Sequence, residues 1–270
     1  MSLSWRDRVR VVLRPDRVIL VRLARGMRPR VSAKEILACT ADGWQPALVA
    51  LAGALKGAHW RRADATVILS NHFVRYLLVP WSGQLVTDEE RAAWVRHTFA
   101  EVHGADAAQW EFRWSEEGPG HPQVASAVEQ ALLAGIREVF KGSTLRLCSL
   151  QPYAMSAFNH WRRAMHGQER FFLLAEPGRL CLASLGHDQW RSFRSWRLGE
   201  AWQDELPCFL ERELLLGEAG EARPRVFLHL PEAPGFSLPA GAWSAHSLKL
   251  APLPGFSPVG DAAYAMALCG

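Results

Sequence analysis

The sequence predicts an α/β protein in which mixed sheets are covered by helices, and three observations carry that prediction. Short runs of β-branched and aliphatic residues recur along the chain. Between them lie stretches whose apolar residues fall at helical spacing. Two successive stretches then share one rhythm: adjacent strands, a helix, and a further strand. Neighbouring strands followed by helices fit a mixed sheet better than an all-parallel one.

Arg17 to Leu23 (RVILVRL) reads as a strand, with Val31 to Ala38 as its partner across Arg25-Gly26-Met27-Arg28-Pro29. Trp44 to Leu55 has helical spacing, with Asp42-Gly43 ahead of it. Ala65 to Ser70 and Phe73 to Val79 form two further strands around Asn71-His72, ended by Pro80. Thr87-Asp88-Glu89-Glu90 is a capping box, in which hydroxyl and carboxylate satisfy free N–H groups at a helix start. Its helix places Trp94, Val95, Thr98, Phe99 and Val102 on one face. Trp110 to Trp114 reads as a strand, and a helix carrying Val124, Val128, Leu132, Ile136, Val139 and Phe140 stops at Gly142. Thr144 to Leu150 is a strand, and Pro152 opens a helix that reaches about Met165.

The second stretch begins with strands at Phe171 to Ala175 and Leu180 to Leu185, joined by Pro177-Gly178. A third strand, Gln189 to Leu198, has polar residues on both faces, as expected at a sheet edge. A helix from Trp202 to Leu216, strands at Arg225 to Leu230 and near His246 to Leu250, and a last helix from Asp261 to Leu268 complete the series. The boundary falls near Gly167, which divides the chain into lobes at 1–166 and 167–270.

Composition narrows the function. Of the 270 residues 49% are hydrophobic and 21% charged, a globular balance that argues against disorder. No run of about 18 apolar residues suggests a transmembrane helix, and the charged start is no signal peptide. The expectation is a soluble, cytoplasmic protein. Five cysteines, widely spaced and without a CxxC or HxxxH pair, read as reduced thiols and not as a metal site. Net charge is +4, but Arg6 to Lys34 holds ten basic residues against Asp7 and Asp16. This segment reads as a solvated basic face; nucleic acid, anionic lipid and an acidic partner are its functional readings.

Motifs for catalysis are missing. No GxxxxGK[ST], GxGxxG or GxSxG occurs, so phosphate-loop, dinucleotide and nucleophile-elbow readings fail. His72 reads as a turn residue, and Glu89-Glu90 and Glu116-Glu117 as capping and loop charges, because adjacent carboxylates do not face each other across a cleft. Most of the 12 tryptophans sit at amphipathic positions and read as core anchors. Trp190 and Trp196, on the edge strand with Arg194, are the exception: such an edge suits strand addition by a partner peptide.

Three segments carry a resemblance. Val67 to Trp81 resembles a strand pair ending in Leu-Pro-Trp; Leu150-Gln151-Pro152 with Ala157 and Asn159 resembles a strand-to-helix junction; Phe171 to Trp196 resembles a three-strand meander with a Pro-Gly turn. Together with the repeated rhythm they resemble the duplicated ribonuclease-H-like fold of the actin-like ATPases. Within it, the likeness is to the PilM-type proteins of type IV pilus assembly and the cytoplasmic part of the type II secretion L-type proteins. The resemblance implies two lobes of mixed sheet flanked by helices. It also implies a scaffold at the inner face of the inner membrane. Such a scaffold binds the cytoplasmic tail of an inner-membrane protein and a second copy of itself, and meets the membrane through its partner alone. In ATP-binding members of the superfamily, an acidic, glycine-rich turn in each half cradles phosphate. Here the turns read as Leu23-Ala24-Arg25-Gly26-Met27 and Ala175-Glu176-Pro177-Gly178-Arg179, each with one glycine. Gly26, Glu176 and Gly178 are therefore degenerate candidates, Glu176 reads as a solvent-facing turn carboxylate, and the expectation is no cofactor and no catalysis. The alternative is an actin-like ATPase or sugar-kinase relative with an atypical site; a nucleic-acid-binding module is the third reading.

Overall fold

The computed structural model describes residues 6–26, 29–40, 43–199, 201–216 and 223–269, so the expectations at Met27, Arg28 and Asp42 lie outside the described residues. In chain order the elements are β1 (Arg8–Leu13), β2 (Arg17–Ala24), β3 (Arg30–Ala38), α1 (Gln45–Ala54) and β4 (Asp64–Leu69). Next come β5 (Val74–Val79), α2 (Asp88–His103), β6 (Trp110–Trp114), β7 (Gln123–Glu129), α3 (Gln130–Lys141), β8 (Arg146–Pro152) and α4 (Tyr153–Trp161). Then follow β9 (Glu169–Glu176), β10 (Arg179–Gly186), β11 (Gln189–Arg197), α5 (Trp202–Leu216), β12 (Arg225–His229), β13 (Ser244–Ser247) and α6 (Ala265–Leu268). Two compact units result: Met1–Val74, Val128–His160 and Leu250–Gly270 form one, Arg75–Ala127 and Trp161–Lys249 the other.

The first unit is built on a five-stranded sheet in the order β3-β2-β1-β4-β8. β1 lies at its centre, antiparallel to β2 and parallel to β4, with Val9, Val11, Val12 and Leu13 fully buried. This strand is absent from the sequence reading. Its Arg-Val-Arg-Val start resembles a charged arm, and only pairing on both sides shows that the arginines alternate with core residues. The α3 helix passes close to α1 at Gly135, where a Cβ would stand 2.5 Å from Leu48 Cδ1. The β3 edge is covered by returning chain: Val31 N–H donates to the Pro254 carbonyl at 2.8 Å, and α6 packs on β1.

The second unit repeats the plan with the order β11-β10-β9-β12-β13. β9 runs antiparallel to β10 and parallel to β12, as β1 does to β2 and β4. Its core joins Phe171, Leu173, Leu180 and Leu182 to Leu206 and Leu210 of α5, with Val226, Leu228 and Trp243. A smaller sheet, β5-β7-β6, carries α2, whose Val95 and Phe99 bury against Val79, Phe112 and Ala125.

Val124 and Val128, expected on a helix, belong to strand β7. The five residues from Val124 to Val128 are all buried, so nothing in the pattern separates a covered strand from a helical face. The helix expected to reach Met165 ends at Trp161, and the last helix is short, preceded by a turn of 3₁₀ helix at Ala262–Tyr264.

Candidate functional site

Each five-stranded sheet opens on a hairpin, and the two hairpins occupy matching positions. The first turn, between β1 and β2, is Arg14-Pro15-Asp16. Pro15 fixes its own backbone and has no N–H, and the Arg14 N–H is taken by the Arg17 carbonyl at 3.1 Å. The Arg14 side chain is 2% exposed and reaches Asp16 through Nε at 2.9 Å and Nη2 at 3.3 Å. Arg17 Nε donates to the other Asp16 oxygen at 2.7 Å, and the Cys39 N–H donates to the Asp16 carbonyl at 2.8 Å. Burial pushes the Asp16 carboxyl up, but the Arg14 and Arg17 guanidiniums outweigh it and hold the group below the usual aspartate value. The turn has no glycine, and its carboxylate is engaged by two arginines.

The second turn, Pro177-Gly178 between β9 and β10, has proline at the first central position and glycine at the second. Gly178 takes φ +80°, a conformation that glycine adopts without strain. Glu176, expected to face solvent, is 4% exposed, because it closes β9 at the register position opposite Arg179. Arg179 also lies opposite Arg197. Burial first, then repulsion from Arg75 and Arg197, lowers the Arg179 pKa. Positive charge therefore gathers at this turn.

Gly26 lies after β2, in the connection to β3, and is exposed. The topological counterpart of the turn holding Glu176 and Gly178 is Arg14-Pro15-Asp16, so the structure does not place Gly26 in a matching hairpin. The unrecognised β1 accounts for the displacement by one hairpin.

β11 is the edge strand of its sheet, as its mixed polarity predicts. Its register against β10 shifts between Ser184 and Leu185, where Ser192 and then Trp190 are the partners and Arg191 is left over. Ser192 and Arg194 both reach Glu213 of α5, at 3.1 Å and 2.5 Å, and Trp196 stacks on Phe209 of α5 with ring centroids 5.3 Å apart. Trp190 instead donates from Nε1 to Glu117 Oε1 at 3.1 Å and is 6% exposed. The two tryptophans therefore do not form one exposed surface. What the edge offers is its backbone and the partly exposed Arg194.

One feature escaped the sequence reading. Trp81 is 47% exposed at the rim of a pocket of about 620 Å³ that also takes in Trp94, Trp114, Arg91 and Glu116. Trp94 is fixed there by donating from Nε1 to the Pro80 carbonyl at 3.2 Å. The Pro80-Trp81 pair was visible as a motif, but nothing in it showed which tryptophans would meet.

The repeated sheet order, with a hairpin at the head of each copy, is the duplicated ribonuclease-H-like architecture of the actin-like ATPase fold. No protein-family model matches the chain, and no curated protein matches it. Among solved structures, the chain is similar to the cytoplasmic domain of EpsL, an inner membrane component of the type II secretion system of Vibrio cholerae. That likeness has a TM-score of 0.61 at 12% identity, covering 98% of this chain and 95% of that one. It is similar to the PilM-PilN type IV pilus biogenesis complex, with a TM-score of 0.63 at 17% identity over 89% of this chain and 88% of that one. It is also similar to a Bacteroides thetaiotaomicron protein with an actin-like ATPase fold, with a TM-score of 0.56 at 8% identity over 92% and 93% of the two chains. The fold that the sequence resemblance implied is the fold found.

Proposed function

We propose that this chain is a non-catalytic actin-like scaffold in the assembly platform of a type IV pilus or type II secretion-like machine. It sits at the cytoplasmic face of the inner membrane and binds the cytoplasmic segment of an inner-membrane protein. The supporting observation is the first hairpin, in a fold shared with the EpsL cytoplasmic domain and PilM. Phosphate binding by a turn needs free N–H groups that no side chain obstructs. Here proline removes one, the Arg17 carbonyl takes another, and Asp16 is held by two arginines. In this reading 1–166 and 167–270 are the two repeated lobes, and a second copy of the chain is a further partner. The partner segment adds to the backbone edge of β11 beside Arg194, while Trp190 and Trp196 hold the strand in place from its two faces.

Calorimetric titration with synthetic peptides tests this. The peptides span the cytoplasmic segments of the single-span inner-membrane proteins encoded beside this chain's gene. Binding of one of them at micromolar strength is expected, and no heat from any of them sinks the reading. The gathering of Arg75, Arg179 and Arg197 at the second hairpin favours a second reading, an actin-like ATPase with an atypical site. Magnesium-ATP separates the two. The scaffold keeps its melting temperature, whereas a nucleotide-binding protein gains several degrees, since a ligand of the native state stabilises it.

A further inference from the structure

We propose that the end of the first unit at which β1, β4 and β8 begin is a docking surface for an anionic phospholipid bilayer. Parallel pairing sets Arg8 beside Asp64 and Asp64 beside Arg146, so the three strands start at one edge. β2 runs the other way and delivers Arg22 to the same edge, opposite Val9, with Arg25 just beyond it. The loop from Lys56 to Arg62 is tied on by Arg22, whose Nη1 donates to the carbonyls of His59 at 2.6 Å and Arg61 at 3.1 Å. Arg62 turns there with φ +54° and donates its N–H to Thr144 Oγ1 at 3.3 Å. Lys56, Arg61 and Arg62 line an open depression of about 850 Å³ together with Ser143 and Thr144.

The charge at this end is one-sided. Asp7 is bound by Arg22 at 2.7 Å, Asp64 by Arg146 at 2.8 Å and Glu138 by Lys141, so these three carboxylates are already matched. Beyond those pairs stand Arg6, Arg8, Lys56, Arg61 and Arg62, all exposed. Among the described residues, five exposed cations therefore stand at this end against Glu35, which accepts from Trp60, and positive charge is concentrated here.

Two observations favour a bilayer over nucleic acid. Recognition of single strands needs exposed rings on which bases stack. The one tryptophan of this loop, Trp60, is 3% exposed and donates to Glu35 Oε2. The charges also project from strand ends and from a loop whose helical turn, Ala58–Trp60, is only three residues long, too short to lie in a groove. Clusters of four to eight basic residues are the recognition unit for anionic headgroups, each adding about fivefold to binding. This inference goes beyond the partner reading and stands apart from it.

Co-sedimentation with vesicles tests it without any partner protein. Vesicles of phosphatidylcholine with about a third phosphatidylglycerol are to carry the chain down at about 0.1 M salt, where screening leaves surface attraction intact. Pure phosphatidylcholine vesicles are to leave it in solution. The variant K56Q/R61Q/R62Q is to bind the anionic vesicles about 100-fold more weakly. R96Q/R162Q/R163Q, exposed arginines of the other unit, removes the same charge and is to bind as the native chain does. Melting temperature checks that both variants fold, and R6Q/R8Q replaces the first variant if it does not. Equal binding to both vesicle types overturns the proposal, as does equal loss in the two triple variants. Tighter binding to duplex DNA than to the anionic vesicles at the same salt overturns it in favour of nucleic acid. The calorimetric result with peptides is unaffected by any of these outcomes.

Discussion

Arg14 and Asp16 close the first hairpin on itself: Nε meets Oδ1 at 2.9 Å, with the arginine 2% exposed and the aspartate at 46%. A guanidinium so deeply placed depends on the carboxylate beside it. Asp16→Asn is expected to cost about 1.5–3 kcal/mol at neutral pH, the range for hydrogen bonds to charged groups. Because the folded Asp16 carboxyl titrates below its usual value, its contribution is complete above the ordinary aspartate range and fades as pH falls through the depressed value. Urea unfolding of native chain and variant should therefore differ at pH 7 and converge in strong acid; an equal difference at both refutes the linkage.

The α2 helix starts on a two-way cap. Glu90 N–H donates to Thr87 Oγ1 at 3.2 Å, and Thr87 N–H donates to Glu90 Oε2 at 2.9 Å. Backbone bonds from Thr87 and Val86 hold the Glu90 carboxyl below its usual value. Thr87→Ala is expected to cost about 1 kcal/mol. Hydrogen exchange should accelerate at the Glu90 amide and not in the sheets.

Gly255 sits at φ +83°, and a Cβ there would stand 2.2 Å from the Val31 carbonyl oxygen. Gly255→Ala combines backbone strain with a clash against backbone that has no side-chain freedom to yield. A loss of about 2 kcal/mol or more is expected, with exposure of the Val31 amide to exchange. A variant as stable as the native chain would mean that the segment does not cover β3.

The cysteines divide by burial. Cys148 and Cys208 are exposed, whereas Cys181 and Cys269 are buried. Burial pushes the Cys181 thiol up to about 12, against the lowering effect of its bond to Ser195. Iodoacetamide at pH 8 followed by mass spectrometry should label Cys148 and Cys208 in the folded protein. Cys181 and Cys269 should react only after denaturation.

Two tryptophans make a contrasting pair. Trp196 packs on the second core and stacks on Phe209, so Trp196→Ala is expected to cost about 2 kcal/mol. Trp81, half exposed at a pocket rim, should change stability by less than about 0.5 kcal/mol when replaced by alanine. Thermal melts of both variants decide it.

Much of the architecture was legible in local pattern. β2, β4 and β9 announce themselves as β-branched or apolar runs, α2 by its cap, and β11 by its mixed faces. β1 and β7 were not legible, for opposite reasons. β1 hides core valines around an exposed Arg8 and a half-buried Arg10, while β7 is buried from Val124 to Val128 and shows no alternation. The hairpin chemistry was half legible: Pro177-Gly178 announces its turn, but Arg14-Pro15-Asp16 has meaning only once β1 is known as a strand. Which side chains gather at the basic end depends on strand direction and register, which no single segment contains.

The first unit takes its last pieces from beyond Leu250, including the cover of β3 and the buried Cys269, whose carbonyl accepts from Ser156. The other sheet is drawn from one continuous run, Glu169 to Ser247. The first sheet therefore depends on chain ends that lie far apart in sequence, whereas the second closes with nothing beyond Ser247. Loss of the segment after Leu250 would strip the flank of the one and leave every strand of the other in place.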